Sequence, residues 1–163
     1  MAKKIMTPVM SFLILILSGY MPFLYAAETA PWGSAEILDI EYQPSKVLYD
    51  LTSGHEEDIV SVLDRIGYLN KLYGSDTFDG SIIVIVHGGA IPYFAIDKLQ
   101  ENQALMARAQ SLTIGTSIEF RMCRVAAKLM KYAPEDIHGF VKMVPMADAE
   151  ITRLQNIGYA YMN

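Results

Sequence analysis

The chain reads as one α/β domain: a single five-stranded, mostly parallel sheet between helix layers. Three observations predict it. Segments with strand character alternate strictly with segments of helical period from residue 46 to residue 163, which argues for one sheet covered by helices. The run Ser81 to Val86 is apolar on both faces and β-branched almost throughout, as in a parallel strand buried between two layers. The connections are short, so right-handed crossovers leave few topologies, and a five-stranded flavodoxin-like order is favoured.

Each element has its own signal. Residues 46–52 form a strand-length run rich in apolar and β-forming side chains. Ser53 and Glu56 have capping-box spacing, which predicts Ser53 as the cap of the first helix. Ile59, Val62, Leu63, Ile66 and Leu69 follow at helical spacing, and Gly74 is a natural stop. The second strand, 81–86, runs into His87-Gly88-Gly89-Ala90 and a turn region around Pro92. Residues 101–112 carry Leu105, Ala109 and Leu112 on one helical face. Residues 117–122 alternate Ile118, Phe120 and Met122 with Glu119 and Arg121, a strand with one polar face. Cys123 follows directly, then a short helix over 124–132, a strand over 140–144, a helix over 147–157 and a last strand over 159–162.

The amino terminus has a different character. Lys3 and Lys4 precede an uncharged stretch, residues 5–27, whose centre is Phe12 to Leu17 and whose end is Leu24-Tyr25-Ala26. A positive start, a short apolar run and a small-residue end make a secretory signal peptide, with cleavage expected after Ala26. The rival is an uncleaved membrane anchor, which Gly19 and Pro22 weaken. Either way the domain is exported, to the periplasm or an equivalent compartment, because Lys3 and Lys4 stay on the cytoplasmic side. Residues 1–26 are thus a signal peptide, 27–45 an extended arm and 46–163 the domain. Cleavage moves the net charge from −5 to −7 and leaves a chain with no expected stable membrane insertion. An acidic chain is also a poor nucleic-acid partner, since phosphates need clustered Lys and Arg. The single cysteine excludes an intrachain disulfide framework and a Cys-rich metal centre. No metal site and no cofactor are expected: His55 with Glu56, Glu57 and Asp58 lies in one helical turn whose side chains diverge.

In an open α/β sheet, ligands bind outside the carboxyl ends of the strands. Three segments reach that edge: Ser53-Gly54-His55, His87-Gly88-Gly89 and Cys123. Cys123 stands at a strand-to-helix junction, where the following helix favours a thiolate, and Arg121 and Arg124 flank it. That is the setting of a nucleophilic thiol; the alternative is a buried cysteine acting as a small hydrophobe. Gly88 and Gly89 allow positive φ and close backbone approach, so their loop is either an anion cradle or a tight turn beside His87.

These residues carry a resemblance. Ile83 to Ala90 (IVIVHGGA), Phe120 to Ala127 (FRMCRVAA), Phe140 to Met146 and Leu154 to Tyr161 resemble the DsrE/DsrF-like sulfur-relay family, which includes the TusD-type persulfide carriers. The likeness spans residues 46–163, and the Cys-x-x-Ala-Ala element is its most specific part. It implies a small α/β domain assembling as a homotrimer or homohexamer. It also implies a sulfur carrier or sulfurtransferase that holds a persulfide on Cys123. Sulfur donor and acceptor proteins, or small sulfur compounds, would be its partners. Arg121, Arg124 and the Gly88-Gly89 loop would hold the anionic sulfur, and His87 would assist proton transfer. The alternative is a non-catalytic oligomeric binding or assembly protein in which Cys123 is structural.

Overall fold

The computed structural model describes residues 31–75 and 80–163. The expected signal peptide lies outside the described residues. Among those described, no helix is long and apolar enough to cross a membrane. The chain divides into two units, 1–39 and 40–163, so residues 40–45 of the expected arm group with the domain.

The second unit contains β1 (Lys46–Leu51), α1 (Glu56–Leu72), β2 (Ser81–Val86), α2 (Leu99–Thr113), β3 (Ile118–Cys123), α3 (Arg124–Leu129), β4 (Val141–Val144), α4 (Ala147–Asn156) and β5 (Ala160–Met162). The strands form one sheet in which every pairing is parallel, flanked by helices in the expected flavodoxin-like α/β arrangement. The order across it is β4-β3-β2-β1-β5. Flavodoxin itself places β1 between β2 and β3.

That order decides where the helices go. The steps from β1 to β2, β3 and β4 all move the same way across the sheet, so right-handed crossovers put their helices on one face. The step from β4 to β5 jumps back past three strands, which sends α4 to the other face. The two cores follow this division. On the first face, α1 (Ile59, Leu63, Ile66) and α2 (Leu105, Met106, Ala109) pack on Val47, Tyr49, Val84, Val86, Phe120 and Met122. Phe94, Phe120 and Phe140 meet there, with ring centroids 5.6 to 6.3 Å apart. On the second face, Ala147 and Leu154 of α4 pack on Leu48, Ile83, Ile85 and Cys123. β2 is buried on both sides from Ile82 to Val86, as its unbroken apolar run predicts.

The local corrections have simple causes. The capping box at Ser53 does not form, because α1 starts later, with His55 at its cap. The Ser53 hydroxyl instead accepts from the His55 N–H and donates to Asp58. The turn region around Pro92 consists of two 3₁₀ turns, Gly88–Phe94 and Ile96–Lys98. The helix expected over 124–132 stops at Leu129. There Lys131 takes φ +68°, the Tyr132 N–H returns to the Ala127 carbonyl and the Lys131 N–H to that of Lys128. This is a Schellman stop, and a lysine at the left-handed position hides it from sequence reading, since glycine is the usual signal.

Candidate functional site

Cys123 closes β3 and caps α3. Its Sγ accepts the Ala126 N–H at 3.4 Å, so the sulfur itself supplies the helix cap. The connection leaving β3 turns to the first face, where Ala127 is buried, while the one leaving neighbouring β4 turns to α4 on the second. Adjacent strands whose connections diverge open a crevice at their carboxyl ends, and this is where α/β sheets hold ligands. Cys123, in register with Val144, lies at that divergence. Cys123 is nevertheless only 5% exposed, in one buried cluster with Leu48, Ile83, Ile85 and Ala147.

Arg121 lies two residues earlier on the same face, but carboxylates hold its guanidinium. Nε and one terminal nitrogen donate to Glu119 Oε2, at 3.1 and 2.9 Å, and the other terminal nitrogen donates to Glu150 Oε1 of α4 at 2.5 Å. Arg153 adds two more hydrogen bonds to Glu150, and Lys142 bridges Glu119 at 3.0 Å. Hydrogen bonds from Arg153 hold the Glu150 carboxyl down to about 2, helped by Arg121 against the opposing effect of burial. Burial pushes Glu119 up, but hydrogen bonds from Lys142 and Arg121 outweigh it and leave this carboxyl below its ordinary value. Arg121 thus ties β3 to α4. Arg124, by contrast, is exposed, with no ion-pair partner among the described residues. It borders an open cleft of about 500 Å³ with Val125, Lys128, Tyr132, Ala133 and Pro134, a lining with no acid.

His87 is held in a network the sequence reading did not contain. It continues β2 in extended conformation, with φ −153°, and its N–H bonds to the Leu51 carbonyl at 3.0 Å. Its Nε2 meets Asp50 Oδ1 at 2.6 Å, and the Tyr161 hydroxyl donates to Asp50 Oδ2 at 2.7 Å. Asp50 follows Leu48, and His87 follows Ile85, each by two residues, so both lie on the Cys123 face. Val86 pairs with Met122, so one step further along the register His87 neighbours Cys123. No hydrogen bond joins the two among the described residues. The available signal was an acid inside an otherwise apolar strand, and a tyrosine at the far end of the chain gave no hint of its partner.

Gly88 and Gly89 have a packing reason. Gly88 takes φ +58°, and a Cβ on Gly89 would come within 2.7 Å of the Gly54 backbone nitrogen. The loops after β1 and β2 therefore press backbone to backbone, and the Tyr93 hydroxyl seals them by donating to the Gly54 carbonyl at 3.1 Å. Three loops meet at one edge as expected, with two of them in contact.

No family model matches the chain, and no curated protein matches it. Among solved structures it is similar to a protein of unknown function from Methanobacterium thermoautotrophicum, MTH1491. The TM-score is 0.59 and the identity 16%, over 72% of this chain and 97% of that one. At that identity the likeness speaks for the shared α/β fold alone.

Proposed function

We propose that the protein is an exported sulfur carrier or sulfurtransferase that holds a persulfide on Cys123 and passes it to an acceptor. The observation that carries this reading is the place of Cys123, at the carboxyl end of β3 beside the diverging β4 connection, with Sγ accepting the Ala126 N–H. A sulfur atom that already accepts a backbone hydrogen bond is suited to bear negative charge as thiolate or persulfide anion. Arg124, without an ion-pair partner among the described residues, and the acid-free cleft beside it suit an anionic sulfur compound or an acidic partner. Transfer then proceeds by thiol exchange. The resemblance of residues 46–163 to the sulfur-relay family supports the same chemistry and an oligomer, a homotrimer or a homohexamer.

The test is mass spectrometry of the native protein after exposure to polysulfide. Wild type should gain whole sulfur atoms, and Cys123→Ser should gain none while folding normally. A second reading, an oligomeric binding or assembly protein with a structural thiol, draws on the 5% exposure of Cys123 among apolar side chains. A thiol that reacts with iodoacetamide only after denaturation would establish this second reading and end the first. Export has its own check: the mature chain should begin at Ala27 or Glu28 by amino-terminal sequencing.

A further inference from the structure

We infer that Asp50 and Tyr161 are positioning residues that fix His87 in its Nε2–H tautomer and leave Nδ1 as the proton acceptor for chemistry at Cys123. The inference rests on the sulfur-carrier reading and adds two residues to it. Its basis is the placement at the carboxyl edge of the sheet: Asp50 on β1, in register with Ile85 two residues before His87, then His87 after β2 and Cys123 at the end of β3, on adjacent strands and one face. Neighbouring strands lie about 4.8 Å apart, and His87 stands on the strand between those of Asp50 and Cys123.

The hydrogen bonds dictate the tautomer. Asp50 has two acceptor oxygens, one occupied by the Tyr161 hydroxyl at 2.7 Å and the other facing His87 Nε2 at 2.6 Å. An ionised carboxylate only accepts, so Nε2 carries the proton, and in the neutral ring Nδ1 then holds the lone pair. Tyr161 orients the carboxylate as Asp50 orients the imidazole. A carboxylate that holds a histidine in one tautomer is a general device for making the other nitrogen a base. The side chains of Asp50 and His87 are 15% and 23% exposed, so the pair is shielded while the ring keeps access to solvent.

The step balances without an oxidant. Cys123 S–H gives its proton to His87 Nδ1. The thiolate attacks the outer sulfur of a donor persulfide R–S–S–H, forming a new S–S bond as the donor's S–S bond breaks. The leaving R–S⁻ takes the proton from His87. The products are the Cys123 persulfide and R–S–H, with the sulfane sulfur unchanged in oxidation state.

Two measurements on the full mature chain test this. Nitrogen-15 NMR of the imidazoles, with His87 identified by its loss in His87→Gln, should show the Nε2–H form in wild type. Sulfur loading of Cys123 from inorganic polysulfide at pH 7 should slow about tenfold or more in Asp50→Asn and less in Tyr161→Phe, with partial recovery in Asp50→Glu. A wild-type Nδ1–H tautomer overturns the inference without any variant. So does normal loading in Asp50→Asn, and in both cases the carrier reading stands. Failure of native wild type to load at all removes the carrier reading itself, and this inference with it. A purely structural role for Asp50 would alter folding stability but leave the tautomer of the folded protein unmoved.

Discussion

The two faces of the sheet are built to different rules, and two consecutive residues of β3 show it. Phe120 points into the first face, fully buried between Phe94 and Phe140. Arg121 points into the second, where Glu119 and Glu150 hold it. The first face is covered by α1 and α2, and its strand side chains there are apolar apart from the Tyr49 hydroxyl. The second is covered by α4 and keeps the ionisable groups Asp50, His87, Glu119 and Arg121 around a small apolar patch that includes Cys123. Apolar packing is concentrated on one side and ionisable groups on the other. This separation lets ionisable groups stay half-buried without weakening the main core.

Mutations on either side of β3 test the contrast. Phe120→Ala should have the largest effect, about 3–5 kcal/mol of lost stability, because it opens a cavity where three rings meet. Chemical denaturation measures it. Arg121→Ala should cost less, about 1–2 kcal/mol, between the values for exposed and buried ion pairs, since Lys142 and Arg153 still serve the two carboxylates. Equal costs for the two variants would erase the distinction between the faces.

Acid sharpens the comparison. Glu150 is held to about 2 against an ordinary 4.5, so its folded form binds a proton less readily than the unfolded chain. Its contribution is complete above pH 4.5 and is lost as the pH falls toward 2. Wild type should lose stability over that range. Arg121→Ala should raise the carboxyl value of Glu150, readable by carbon-13 NMR titration. An unchanged value would mean that Arg153 alone sets it. Cys123→Ser should have the smallest effect, under about 1 kcal/mol, because the serine hydroxyl also accepts from the Ala126 N–H and caps α3. A larger loss would place Cys123 with the structural core.

The pattern of legible and hidden features follows the range of the interactions. The strand Ser81–Val86 and its burial were readable because hydrophobic patterning is local, and so was the placing of Cys123 between a strand and a helix. The end of α3 was not, since a left-handed lysine leaves no signature in the sequence. Nor was the role of Arg121: it looked like a companion of Cys123 until α4 supplied Glu150 from 29 residues away. Gly88 and Gly89 suggested a loop of special geometry, but only the approach of Gly54 gave its reason.

The sequence by itself determined the alternation of strands and helices, the apolar centre of the sheet and the thiol at the β3–α3 junction. Periodicity, turn residues and capping act between residues close along the chain. The tertiary structure decided the strand order, the assignment of α4 to its own face and the meeting of Asp50, His87 and Tyr161 from three strands. Those depend on which strands become neighbours. Crossover handedness and the matching of whole faces govern that choice, and Tyr161 reaches Asp50 only because β5 returns to pair with β1 across 111 residues of chain.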